Sequence, residues 1–553
     1  MTAGTHPDAG KLLPASRLVD VERLVRTYRE RQPDPVRSGE RVTFGTSGHR
    51  GSASIGSFNE AHILAIAQAI CLDRRHRGID GPLFMGRDTH ALSEPAFNTA
   101  IEVFVANDVT VVTDACNGFT PTPAISHAIL AHNRAGTGKL ADGVVVTPSH
   151  NPPEDGGIKY NPPHGGPAET EVANAIEETA NAILLDGLKS VRRTSVPRQG
   201  ASEHVQRKDY RRDYVDDLAS VVDLQAVAGA GIRLGFDALG GAAIHYWPEI
   251  IDRYRLNGRL IGDRVDPRFS FVPADWDGRI RMDCSSPFAM SNLVSLKGEF
   301  DVAIGNDPDA DRHGIVTRDG GLMSPNDFLV AAASYLFTHR SSWPFGSGIG
   351  KTMVTTRLLD RLATRLGRPL VETPVGFKWF VDGLLAGSLG FAGEESAGAS
   401  LSRMDGTVWT TEKDGIAMGL LAAEMMARTG RDPGALYRKA TEELGTSWYR
   451  RTDAPATPLE KARLGRVTPS SLSVARLAGE LVVAIETAAP GNSGPFGGVR
   501  VQTRNGWFAA RPSGTEDLYK LYAESFQGQE HLAQIEIEAK AMISEVLAGN
   551  EGG

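Results

Sequence analysis

Gly143-Val144-Val145-Val146-Thr147 is a short apolar run, and it ends in Pro148-Ser149-His150-Asn151-Pro152-Pro153-Glu154-Asp155-Gly156-Gly157-Ile158-Lys159-Tyr160-Asn161. The run reads as a strand, and the stretch after it as a loop rich in Pro, Asn and Gly that presents one serine. The same kind of strand recurs at Val109 to Thr113, Ile232 to Phe236 and Asp301 to Gly305. Between these strands, Ala61 to Leu72, Asp327 to Phe337 and Gly415 to Met426 carry helical patterns. Strands separated by helices predict βαβ units and parallel or mixed sheets, an α/β fold. In such folds ligands bind beyond the carboxyl ends of strands, so the loops after strands are where chemistry is expected.

The chain has 553 residues, more than one hydrophobic core supports, and several domains are expected. A net charge of −8 argues against sequence-independent nucleic-acid binding, which needs a basic surface. With 41% hydrophobic and 23% charged residues, the composition is that of a globular protein. No apolar run is long enough to span a membrane, and Met1 to Asp20 lacks the apolar core of a secretory signal. Cys71, Cys116 and Cys284 are far apart in sequence and read as small buried hydrophobes in a reducing compartment, so the cytoplasm is expected. Val19 to Tyr28 has helical spacing, either as an arm packed on a neighbouring molecule or as a helix docked on its own domain. Pro-containing and charged stretches divide the rest. The expected units are 1–39 (arm), 40–195, 196–317, 318–443 and 444–553.

Four loops carry candidate chemistry. The Ser149 loop can expose a hydroxyl but lacks the Gly-x-Ser-x-Gly elbow of hydrolases, and an ordinary Asn/Pro turn also fits it. In Asp307-Pro308-Asp309-Ala310-Asp311-Arg312, carboxylates at alternate positions can each turn an oxygen toward a hard cation such as Mg²⁺. A calcium EF-hand is excluded, because Arg312 and Arg318 stand where its Gly and Glu belong. Thr373 to Trp379 followed by Gly393-Glu394-Glu395-Ser396-Ala397-Gly398 offers groups for sugar hydroxyls, or equally a helix cap. Arg511-Pro512-Ser513-Gly514-Thr515 suits a phosphate cradle or a plain turn. Gly346 to Thr352 imitates a nucleotide-binding P-loop, but three residues separate Gly346 from Gly350 where four are required.

Together with Phe44-Gly45-Thr46-Ser47-Gly48-His49-Arg50-Gly51, these loops resemble the α-D-phosphohexomutase superfamily, in its bacterial glucose-acting branch, in order from about residue 40 to 525. The resemblance implies four domains around a central active-site cleft. Three are related α/β domains with mixed sheets, and the last is a smaller α+β domain. It implies that Ser149 is the phosphoserine, and that Asp307, Asp309 and Asp311 hold Mg²⁺ with a phosphoserine oxygen. Lys159 would be the acid/base, and His150, Arg50 and Lys378 supporting cations. Arg312, Gly376, Glu394 and Ser396 would bind the sugar, and Arg511, Ser513, Gly514 and Thr515 the phosphate not in transfer.

The implied reaction interconverts α-D-glucose 1-phosphate and glucose 6-phosphate through glucose 1,6-bisphosphate. The partners would be sugar phosphates, with no nucleic acid or membrane, and a homodimer is left open. Ala397 and Gly398 depart from the Gly-His of phosphomannomutase and phosphoglucosamine mutase relatives, which favours glucose, with those two activities as the near alternatives. A non-catalytic sugar-phosphate sensor is the alternative from another class, disfavoured because binding alone needs no serine, aspartate triplet and lysine together.

Overall fold

The computed structural model describes residues 5–136, 138–195, 203–472, 474–514 and 517–549. Four sheets follow one another along the chain. The first has seven strands. Asp142–Val146, Leu83–Arg87, Val111–Asp114 and Val205–Lys208 run parallel in that spatial order, and Asp155–Asn161 and Gly48–Ser52 return antiparallel at the edge. The second sets Val302–Asn306 parallel to Leu234–Asp237 and antiparallel to His313–Thr317. The third sets Leu389–Glu394 parallel to Gly348–Thr352 and antiparallel to Gly398–Leu401. Only the fourth sheet, Trp448–Pro455 to Leu518–Ser525, is antiparallel throughout its six strands, with helix Gln529–Ala548 packed on it.

The first three domains repeat one device. A buried parallel strand ends, a loop turns out of the sheet, and an antiparallel strand brings the chain back. Strands Asp142–Val146, Val302–Asn306 and Leu389–Glu394 are buried at every position, as expected for strands covered on both faces. The first two return loops hold Ser149 and the three aspartates, and in the third domain Glu394 ends the strand with Ser396 in the loop after it.

Each expected strand and helix forms, and the helices extend beyond the expected ends, to Glu60–Arg77, Pro325–His339 and Gly415–Thr429. Helix Val21–Glu30 buries Leu24 and Tyr28 in the first domain's core, so it docks on its own chain. Residues just before it lie on the second domain, where His6 N donates to Trp276 O and Gly10 N to Ala274 O, both at 2.8 Å. The first sheet takes in Val205–Lys208 and the second Gly321–Leu322, past the expected limits at 195 and 317. Strand pairing, rather than loop composition, decides where each sheet ends.

The second and third domains share one core, in which helix Gly415–Thr429 lies on both sheets. Gly419 permits this, because a Cβ there would lie 2.4 Å from Ile304 Cγ2. Lys351, the lysine of the false P-loop, is fully buried and pairs with Asp360 and Glu372. Arg500 of the fourth domain grips the same Glu372 through two bonds of 2.6 and 2.7 Å. Cys71 and Cys284 are buried, but Cys116 is exposed, because it lies in the turn after strand Val111–Asp114. Among the described residues no helix is long and apolar enough to cross a membrane.

Candidate active site

Ser149 is 1% exposed and has φ +56°, a left-handed conformation that a non-glycine residue holds only under external constraint. The constraint is a buried chain of hydrogen bonds. Ser149 N donates to Thr147 Oγ1 at 2.8 Å, and that hydroxyl donates to Asp88 Oδ2 at 2.7 Å. Asp88 also accepts from Ser93 Oγ at 2.5 Å and pairs with His90 Nδ1 at 2.8 Å, while His90 Nε2 meets Asn151 O on the far side of Ser149. Burial pushes the Asp88 carboxyl up, but His90, Ser93 and Thr147 outweigh it and hold the group below its usual range. His90 is raised in turn, because Asp88 more than offsets burial. Close packing beneath the loop requires Gly157, where a Cβ would lie 2.3 Å from Thr147 O.

Ser149 reaches across to the second domain, where its Oγ donates to Asp307 Oδ2 at 2.6 Å. Asp307, Asp309 and Asp311 are almost wholly buried, and one oxygen of each lies within 4.8 Å of the others. Two ammonium groups partly neutralise them. Lys159 Nζ stands 2.6 Å from Asp309 Oδ2 and 2.9 Å from Asp311 Oδ2, and Lys413 Nζ is 3.1 Å from Asp311 Oδ2. Burial and the two neighbouring carboxylates push Asp307 well above the usual carboxylate range. Asp311 is held low, because Lys159 and Lys413 overcome its burial. The buried Oδ1 atoms of Asp309 and Asp311 have no hydrogen-bond partner. Converging carboxylate oxygens, two of them without a partner, form an all-oxygen donor set that fits Mg²⁺.

The third domain's loop is stitched to this one. His313 N donates to Ala397 O at 3.1 Å, and Arg312 and Gly398 pair as an isolated bridge. Gly398 leaves room for the Lys413 side chain, whose Cδ would lie 2.2 Å from a Cβ there. Glu394 Oε1 accepts from Gly376 N at 3.0 Å, which brings the two parts of the expected sugar-binding region together. Burial raises the Glu394 carboxyl to about 7, with Lys413 opposing and Glu395 adding to the rise.

The basic residues divide. Arg50 Nη1 donates to Asn151 Oδ1 at 3.3 Å, and Arg312 lies beside Asp311. His150 Nδ1 is 3.3 Å from Ser149 Oγ, but burial and then Arg312 push its pKa well down, so it is a neutral imidazole rather than the expected cation. A lysine serves as a base where neighbouring cations lower its pKa, and at Lys159 the sequence leaves the direction open. Burial pulls this lysine down, but Asp309 and Asp311 prevail and it is raised. Lys378 is tied to Thr170 Oγ1 at 2.9 Å.

In the fourth domain Arg511 is the last residue but one of strand Gly506–Pro512, Ser513 is buried, Gly514 is exposed, and Thr515 lies outside the described residues. Burial and Glu395 push Tyr522 up to about 12 while Arg451 and Arg511 pull it back, so Arg511 shares a surrounding with the sugar loop. Among the described residues, Arg511 makes no bond to the serine or aspartate loops.

Sequence reasoning missed Asp88, His90 and Lys413. The first two follow the buried strand Leu83–Arg87 at its carboxyl end, the signal that located the other loops. Lys413 stands in the polar run Thr410 to Asp414 before a long helix, and such runs are usually only caps.

The chain matches four family patterns in order. They are described as Phosphoglucomutase/phosphomannomutase, alpha/beta/alpha domain I over residues 41–185, domain II over 212–321, domain III over 324–444, and C-terminal domain over 466–541. It is 55% identical over 542 residues to a phosphoglucomutase of Komagataeibacter xylinus, covering 98% of each chain. Phosphoglucomutase 1 of Drosophila melanogaster is 27% identical over 392 residues, 67% of each chain. Among solved structures, the open form of the phosphoglucomutase parafusin from Paramecium superposes with a TM-score of 0.72 at 22% identity, covering 94% of this chain and 96% of that one. Four domain patterns in unbroken order and one relative matched almost end to end place this chain in the phosphoglucomutase/phosphomannomutase family.

Proposed function

We propose that Ser149 carries the phosphoryl group in the interconversion of α-D-glucose 1-phosphate and glucose 6-phosphate, the phosphoglucomutase reaction of this family. The observation that carries the assignment is the 2.6 Å contact between a strained, buried serine and Asp307, on a loop from another domain. In this reading Asp307, Asp309 and Asp311 hold Mg²⁺. The ion supplies positive charge for the phosphoryl oxygens.

The chain's own residues do the rest. Arg50, bonded to Asn151 of the serine loop, and Arg312, beside Asp311, add fixed positive charge near Ser149, where charge spreads over the phosphoryl oxygens in flight. In the first transfer the Ser149 Oγ–phosphorus bond breaks and a bond to the substrate oxygen forms. Lys159, kept protonated by Asp309 and Asp311, gives its proton to Ser149 Oγ, and the substrate hydroxyl's proton restores it. Glu394 and Ser396 grip sugar hydroxyls, and Arg511 with Ser513 and Gly514 holds the phosphate that is not moving. The resulting glucose 1,6-bisphosphate turns over in the cleft, and the second transfer runs the same steps in reverse. Burial of Ser149 keeps water from its phosphate. The free cysteines support a reducing, cytoplasmic setting.

The test is a coupled assay of glucose 1-phosphate conversion, with mannose and glucosamine phosphates as controls, beside intact-mass analysis of Ser149. Faster turnover of either control would move the assignment to that sugar. Absence of phosphate on Ser149 in protein charged with glucose 1,6-bisphosphate would remove it as carrier.

A further inference from the structure

A cavity of about 390 Å³ opens on the first domain between helix Ser93–Ala106 and strands Val111–Asp114 and Val205–Lys208. None of the residues assigned above to the reaction lines it. Two of its lining groups are buried donors without partners, Arg87 Nε and Thr113 Oγ1, on residues 7% and 2% exposed. Such groups are rare in native structures, because a buried donor that lacks a partner has lost its bond to water with nothing to offset the loss. The rest of the Arg87 guanidinium is held in place. Nη2 donates to Asn117 O at 3.0 Å, and its carbon lies over the rings of Phe97 and Phe119 at 5.4 and 5.8 Å.

The charges around the cavity are unequal in what they leave available. Glu60 and Glu102 are both taken by Arg193, at 2.9 and 2.6 Å. Glu94 stands 3.8 Å from Arg87 Nη1 with its own side chain 60% exposed, so it can swing clear. Arg29 and Arg207 are exposed on the lining. Arg87 Nε and Thr113 Oγ1, from two neighbouring strands, are the lining donors left without a partner, Arg207 Nη1 donates to Asp114 O at 3.1 Å and keeps its other donors, and Pro95, Phe97 and Val205 form an apolar wall. A carboxylate offers two oxygens in one plane, whereas a phosphate offers three directed outward, which suits donors that approach from separate strands. The volume is that of a pocket for a small metabolite.

We propose that this cavity binds a small phosphate-bearing anion, whose oxygens accept from Arg87 Nε and Thr113 Oγ1 while Arg207 closes over them and any organic part lies on Phe97. The site is separate from the catalytic cleft, so the enzyme has two places for phosphate.

Isothermal titration of the full chain with glycerol 3-phosphate, and separately with inorganic phosphate, tests this. The wild type should show two classes of site. Thr113→Val removes one hydroxyl at nearly constant volume, and Arg207→Ala trims an exposed side chain. Each should weaken one class by at least about tenfold and leave the other unchanged. Tighter binding of the ester would assign the organic part to the apolar wall, and equal binding would make free phosphate the ligand. A single class in the wild type, or two classes that neither variant alters, would overturn the proposal.

Discussion

Asp88→Asn should slow turnover without touching the metal loop or the sugar loop. In the native site Asp88 Oδ2 accepts from both Thr147 Oγ1 and His90 Nδ1, and Oδ1 accepts from Ser93 Oγ and His90 N. Asparagine has nearly the same shape but only one accepting oxygen. Whichever way its amide is turned, two donors face an NH₂ group. If that side is Oδ2, Thr147 loses the anchor that holds Ser149 N. If it is Oδ1, the Ser93 hydroxyl and the His90 backbone amide lose theirs. In both cases His90 is left without a full counter-charge in a buried site.

A hydrogen bond to a charged group contributes about 1.5–3 kcal/mol. If that loss appears wholly as a misplaced Ser149, it corresponds to roughly a 10- to 150-fold drop in kcat. Ser93→Ala removes one donor from the same carboxylate but leaves Thr147 and His90 bonded to it, so it should give a smaller drop in the same direction. The assay is coupled turnover at saturating glucose 1-phosphate, with Mg²⁺ affinity measured alongside. A kcat for Asp88→Asn within twofold of wild type, in a folded protein, would refute the view that this network holds Ser149 in its strained conformation.

Ser149→Ala should abolish turnover while sugar-phosphate binding persists, and near-normal turnover would end its role as carrier. Asn in place of Asp309 or Asp311 should weaken Mg²⁺ binding and lower turnover by orders of magnitude, and full activity in excess chelator would contradict the metal site. Because Glu394 titrates near 7, it is a carboxylate above that pH and becomes protonated below it. KM for glucose 1-phosphate should therefore rise as pH falls through about 7, and Glu394→Gln should remove that limb from the pH profile. Arg511→Ala should lose roughly 2–4 kcal/mol of phosphate recognition, raising KM and lowering kcat together, while leaving phosphate on Ser149. An unchanged kcat/KM would reduce its loop to an ordinary turn.

What the sequence by itself determined is local. Valine-rich runs such as Gly143 to Val146 specify a strand, and the alternate spacing of Asp307, Asp309 and Asp311 lets three side chains of one tight loop turn inward together. These features depend on neighbours a few residues away, so they can be read along the chain. Tertiary packing decided how the loops meet and what charge each group carries. Lys351 was legible only as a failed P-loop, yet its ammonium lies where the third and fourth domains press Glu372 between it and Arg500. His150 and Lys159 are both basic in sequence, but one is neutral and the other firmly protonated, because one is buried beside a guanidinium and the other beside two carboxylates. Protonation follows burial and nearby charge, and both are set by residues some 150 positions away. The same holds for the helix near Tyr28: its amphipathic face is plain in sequence, but only the folded first domain offers the surface that buries it.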